Sequence, residues 1–144
     1  MRKILVVLTI VSIVAGACGG SSKKSSSGGS SSGSTSATPV KLSGIVTNKG
    51  TKTLSGGSIE VEQDDFYFKP TFVKATPGTT VTVELHNEGK ATHTFTIDSL
   101  NVDEELQPGA AKTVQVKLPS SGTVNYYCRF HRSSGMQGAF FFGT

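Results

Sequence analysis

Cysteine, methionine and histidine are scarce in this chain: two, two and three among 144 residues. Two cysteines could pair, and an exported protein would permit it. Their contexts argue otherwise, because Cys18 closes a signal-like segment and Cys128 lies among other metal-capable side chains. Long apolar runs are also missing: the one at Ile4 to Val14 is too short to span a bilayer comfortably. Helical periodicity is absent beyond that segment, which leaves strands as the material of the fold. An excess of basic charge is lacking where it would matter. The formal charge is +4, but Arg2, Lys3, Lys23 and Lys24 precede residue 41, leaving ten basic and ten acidic side chains from Lys41 onward. With no clustered basic face and no stacking platform, nucleic acid is not an expected partner.

The first 40 or so residues are not domain material. Arg2 and Lys3, the apolar run and the small residues Ala15-Gly16-Ala17 stand immediately before Cys18, so residues 1–17 are expected to be an export signal peptide. Ala-Gly-Ala-Cys is similar to a bacterial lipobox, with Ala15 in place of the usual Leu. That resemblance implies a lipidated Cys18 at the start of the mature protein, anchored to the cell membrane on its periplasmic or extracellular face. The alternative is an ordinary cleaved signal whose cysteine is incidental. The rest of residues 18–40 reads as a Gly/Ser-rich linker: Gly19 to Thr38 offers no apolar side chain large enough to nucleate a core. About twenty such residues reach roughly 25 Å, enough to hold a small domain just off a membrane while leaving it free to reorient.

Residues 41–144 are expected to form one domain, with its core from about residue 57, a usual size for a β-sandwich. Lys41 to Lys52 is ambiguous, since Gly44, Asn48 and Gly50 interrupt Leu42, Ile45 and Val46. Ser58 to Gln63 alternates Ile59 and Val61 with Glu60 and Glu62, and Phe66, Phe68, Phe72 and Val73 bracket Pro70 as a bent edge segment made of core aromatics. Val81, Val83 and Leu85 face one way while Thr82, Glu84 and His86 face the other, which points His86 away from the core. Asp103-Glu104-Glu105 reads as a solvated loop. Val114, Val116 and Leu118 alternate in the next run, Val124, Tyr126 and Cys128 share a face in the one after, and Ala139 to Phe142 is a final apolar strand. About seven or eight short strands separated by regular turns predict an all-β, antiparallel Greek-key β-sandwich.

Against this plain scaffold, Cys128 to Met136 is specialised. A thiolate, an imidazole and a thioether in a Cys-x2-His-x4-Met spacing can turn to one point if the stretch is a loop between strands, which Gly135 and the polar run Arg132 to Ser134 favour. Thiolate plus thioether suits copper, and a trigonal His2Cys set with a weak axial Met is the blue-copper arrangement. The second imidazole can come from His93, since His93, Phe95 and Ile97 share the inward face of one strand and the threonines share the other. Zinc would need four good ligands, usually further Cys or His, and has no use for Met136. A Cys/His nucleophile pair would need an oriented base and an oxyanion hole. An inert buried cysteine with incidental histidines is the remaining alternative.

Cys128, His131 and Met136, with His93 in Ala91-Thr92-His93-Thr94-Phe95, resemble the type 1 copper site of the cupredoxins, most closely the plastocyanin and amicyanin group. The resemblance covers about Gly57 to Thr144. One departure is that plastocyanin-like proteins usually carry Asn just after the upstream His, where it ties the two ligand loops together; here that place is Thr94. The resemblance implies the Greek-key topology and one copper ion. It further implies that His131 presents its outer edge at the surface to pass electrons, with Phe130 and Gly135 as an apolar collar. Arg129 and Arg132 would make that rim positive and suit an acidic or haem-bearing partner.

The expected function is therefore outer-sphere electron transfer between Cu(I) and Cu(II), by a monomer with haem or copper proteins as redox partners, and no enzymatic centre. The alternative is a copper-binding protein for delivery or storage. Against it stands the scarcity of methionine, only Met136 besides Met1, where exchangeable ligation would call for more.

Overall fold

The computed structural model describes residues 38–143; the expected signal peptide, Cys18 and most of the linker lie outside the described residues. Ten strands form two sheets. One is ordered β1 (Thr51–Thr53), β4 (Phe72–Ala75), β10 (Gln137–Phe142), β9 (Thr123–Tyr127), β6 (His93–Ile97), β7 (Val102–Leu106). The other is β3 (Tyr67–Lys69), β2 (Ser58–Asp64), β5 (Thr80–Asn87), β8 (Ala111–Lys117). Period-two alternation builds both inner faces: Val81, Val83 and Leu85 are buried along β5, and Val124 and Tyr126 along β9. The described residues contain no helix long and apolar enough to cross a membrane, only short 3-10 turns at Asp98–Leu100 and Arg132–Ser134.

The all-β sandwich is the predicted one, with two strands beyond the sequence pattern. β1 is exposed throughout and exists because β4 offers it a parallel edge. The β1·β4, β4·β10 and β2·β5 pairings are all parallel, so the sheets are mixed rather than purely antiparallel. β7 is the stretch expected to be a solvated loop. It pairs antiparallel with β6, Leu106 opposite His93 and Val102 opposite Ile97. Its charges are taken up in place: Asp103 and Glu105, two residues apart on one face, both reach Arg129, at 2.8 and 3.5 Å, while Glu104 bonds Lys112 of β8. Exposed pairs of this kind contribute little each, about 0–1 kcal/mol; the ladder to β6 and the burial of Leu106 do more.

The core centres on Phe68, Phe95, Tyr126 and Phe140. Tyr126 is the hub, its ring centroid 5.2, 5.0 and 5.4 Å from the other three. Such pairs add about 0.5–1.5 kcal/mol each beyond area burial. The Tyr126 hydroxyl donates to the Pro70 and Thr71 carbonyls at 3.1 and 2.9 Å, so the only polar atom of this hub is satisfied and the bend around Pro70 is tied to β9. Phe66 departs from its expected place in this core: it is 39 % exposed, because the β2–β3 turn carries it outward. Residues 40–50 form no strand but pack across one edge, where Leu42 is buried against Phe72 and Ala139 and the Gln137 amide donates to the Ser43 and Ile45 carbonyls at 2.8 and 2.6 Å.

Candidate metal centre

Two elements deliver the donors. His93 opens β6 and is fully buried; Cys128 lies one residue past β9, still on the inward face of Val124 and Tyr126, and is also fully buried. The chain from Cys128 to Met136 closes on itself. The Cys128 N–H donates to the Met136 carbonyl at 3.0 Å, the Met136 N–H to the His131 carbonyl at 3.2 Å, and the His131 N–H to the Cys128 carbonyl at 3.3 Å. Gly135 ends the 3-10 turn with φ +99°, a left-handed conformation that glycine adopts without penalty. Met136 is thereby turned back into the core, fully buried in the same apolar cluster as Cys128.

Three donor atoms converge. His93 Nδ1 lies 3.2 Å from His131 Nδ1, and Cys128 Sγ lies 3.9 Å from His93 Nδ1 and 3.4 Å from His131 Nδ1. Bonds of about 2.0 Å to imidazole and 2.3 Å to thiolate, as for zinc, need trigonal donors about 3.5–3.7 Å apart, and the observed edges bracket that size. Size alone suits several ions; the thiolate, with a buried thioether in the same loop, selects copper. These residues therefore fit one copper ion.

The surroundings favour an ionised sulfur. Burial works against the Cys128 thiolate, but hydrogen bonding from His93, the amides of Thr94 and Phe130, and His131 brings its pKa down to about 6. The Thr94 N–H stands 3.4 Å from Sγ, and Thr94 Oγ1 accepts the Arg129 N–H at 2.8 Å. Thr94 thus ties the two ligand segments together in the place where plastocyanin-like proteins usually have Asn. The threonine face of β6 is correspondingly not a solvent face: Thr94 and Thr96 are buried, and Thr96 donates to Asp103 at 2.7 Å. For His93, burial opposes the imidazolium, but Cys128 and Asp65 outweigh it and raise its pKa above the ordinary value.

Two residues that the sequence pattern did not single out touch the site. Asp65 Oδ1 stands 3.0 Å from His93 Nε2, and the Phe66 ring lies over His131 with centroids 4.2 Å apart and planes 33° apart. His131 is half-buried, the most exposed of the candidate donors, between Phe66 and Phe130, which is 49 % exposed. Arg129 departs from the expected positive rim, since Asp103 and Glu105 pair with it. The Arg132 guanidinium sits 4.4 Å from the Tyr127 ring centre. His86 stays half-buried on the outer face of β5, away from the site.

A family model described as a cupredoxin-like domain matches residues 40–140. The chain belongs to that family. Solved structures place this cupredoxin by fold. Reduced auracyanin from the photosynthetic bacterium Roseiflexus castenholzii aligns at 18 % identity over 62 % of this chain and 99 % of its own, with a TM-score of 0.54. Auracyanin A, a "blue" copper protein from Chloroflexus aurantiacus, aligns at 16 % identity over 64 % and 100 %, with a TM-score of 0.50. The Cu(I)-containing metal-binding domain of the Streptococcus pneumoniae copper-exporting ATPase CopA aligns at 12 % identity over 72 % and 100 %, with a TM-score of 0.53. No curated protein matches the sequence significantly.

Proposed function

We propose that this cupredoxin is a mononuclear type 1 copper electron carrier, holding its metal with His93, Cys128, His131 and Met136. The observation that carries the reading is the triangle of two Nδ1 atoms and one sulfur, 3.2–3.9 Å on a side, held by two buried segments that Thr94 joins. Copper in such a set supplies a one-electron Cu(I)/Cu(II) couple. The protein's part is rigidity: strand β6, the closed Cys128 to Met136 loop and the hydrogen bonds to Sγ hold donors in one arrangement that serves both oxidation states, so little reorganisation accompanies transfer. The ring of His131, flanked by the exposed faces of Phe66 and Phe130, is the outlet to a redox partner. Fully buried His93, Cys128 and Met136, with only His131 half-buried, favour a carrier over an enzyme.

The fold likeness to both auracyanins and the CopA domain keeps copper delivery as the second reading. We further propose that Cys18 carries a lipid, with residues 18–40 as the tether of a domain spanning 41–144 outside the cytoplasm. Cys18→Ala should block processing or release the protein from membranes with copper binding intact; unmodified protein found wholly soluble in the export compartment would overturn the anchor. The site itself is tested by adding Cu(II) to the 144-residue chain. An intense blue or green thiolate-to-copper absorption is expected, and its loss in Cys128→Ser. Colour surviving in the Ser variant would remove Cys128 from the centre.

A further inference from the structure

A histidine can give a metal only one of its ring nitrogens, and which one is free depends on the hydrogen bond made by the other. His93 points Nδ1 into the donor triangle and Nε2 at the Asp65 carboxylate, 3.0 Å away. A carboxylate only accepts, so Nε2 carries a proton, and Nδ1 is the nitrogen left available to a metal. Asp65 is itself fixed. Its Oδ2 accepts the Lys90 N–H at 3.0 Å and its Oδ1 the Ala91 N–H at 3.2 Å, both from the turn that leads into His93. That turn comes close only because residue 89 is glycine: a Cβ there would stand 2.5 Å from Asp65 Oδ1 and 2.8 Å from His93 Nε2. The next residue, Phe66, covers the other imidazole, so one turn between β2 and β3 acts on both histidines.

We propose that Asp65 is a positioning residue of the metal centre, which sets the His93 tautomer and, by its negative charge behind the ring, stabilises Cu(II) relative to Cu(I) and lowers the reduction potential. This rests on the copper reading above. The asymmetry supports it: His93 is backed by a carboxylate, whereas the hydrogen bonds of the His131 side chain among the described residues lead only to His93 and Cys128. A carboxylate behind a metal-bound imidazole raises the basicity of the ligand, and losing such a partner typically weakens metal binding about 10–100-fold. That weakening falls mainly on the more highly charged ion.

The test uses the 144-residue chain loaded with copper alone. Asp65→Asn keeps the shape, removes the charge, and should keep the thiolate-to-copper colour. It should lower the ratio of Cu(II) to Cu(I) affinity about tenfold, a potential raised by about 59 mV for a one-electron couple; Asp65→Glu, which restores the charge, should recover part of that shift. Nitrogen-15 NMR of the Cu(I)-loaded unsubstituted protein needs no variant to fold: it should show the His93 Nε2 protonated, with slow proton exchange. A coloured Asp65→Asn protein whose potential moves by less than a twofold affinity ratio overturns the role of Asp65 and leaves the copper centre standing. An unprotonated or freely exchanging Nε2 in the coloured parent protein overturns it as well. A parent chain without the absorption overturns the copper reading, and the proposal falls with it.

Discussion

A buried thiol ordinarily resists ionisation because burial disfavours the charged form, yet the partners around Cys128 reverse that and leave a pKa of about 6. At neutral pH the sulfur is then already the thiolate that a soft metal needs, and metal uptake displaces fewer protons from it. The consequence for folding has a definite sign. The unfolded thiol, near 9.0, keeps its proton where the folded one has lost it, so this stabilisation is complete above 9.0 and disappears as pH falls through about 6. His93, raised above 6.5, acts oppositely: its contribution is complete below 6.5 and fades as pH rises through the folded value. Thiolate absorbance of the metal-free protein, taken as a difference from Cys128→Ser, should titrate with a midpoint near 6, and His93→Ala should move that midpoint upward. A midpoint above 8 in the parent protein would refute the electrostatic account. If Met136 is the weak axial donor proposed above, it should tune the couple: Met136→Gln should keep the colour and lower the potential, because an oxygen donor favours Cu(II). Voltammetry showing no change would take Met136 out of the coordination sphere.

At the scale of elements, the donors depend on how loops are pinned to strands. The Cys128 to Met136 loop is fastened outward as well as inward, since the Thr47 N–H donates to the Gly135 carbonyl at 2.9 Å. A Cβ on Gly135 would stand 2.6 Å from Thr47 Oγ1 in a left-handed residue. Gly135→Ala should therefore cost at least about 1–2 kcal/mol, a fall of roughly 4–16 °C in melting temperature for a domain near 100 residues; an unchanged melting curve would mean that the loop repacks freely. The strands β5, β6, β8 and β9 and the convergence of His93, Cys128 and His131 were legible in the sequence, because each strand alternates and the spacing of Cys128, His131 and Met136 is distinctive. β7 was not legible, because its Asp103-Glu104-Glu105 run reads as solvated until Arg129 and Lys112 are seen to meet it. Asp65 left a fainter trace: extending the inward series Ile59, Val61, Gln63 by two residues reaches it. Phe66 left none, since an aromatic in a strand-like run is ordinarily core, and only the turn between β2 and β3 turns it towards His131.

For the whole molecule, electron carrying and copper delivery share every donor and differ in how the framework holds them. Delivery requires the metal to leave in at least one oxidation state, which calls for exposed or exchangeable ligation. Here His93, Cys128 and Met136 are fully buried, His93 and Cys128 at the ends of neighbouring strands of one sheet and Met136 in a loop closed by its own backbone bonds, and Thr94 locks the two ligand segments to each other. Only the half-buried His131 offers a way in, and the rings of Phe66 and Phe130 flank it. For the proposed carrier, a frame of this kind is expected to pass an electron through the His131 edge more readily than it releases an ion. The reduced protein should therefore retain its copper against a Cu(I) chelator in moderate excess at neutral pH, through repeated oxidation and reduction, and should exchange electrons quickly with a small haem protein. Opening the frame should convert one behaviour into the other: Thr94→Val keeps the main-chain donor to sulfur but removes the acceptor for the Arg129 N–H, and should speed copper loss while leaving the colour of the oxidised protein. Rapid and complete loss of copper from the unsubstituted protein, together with slow electron self-exchange, would instead assign this frame to copper delivery.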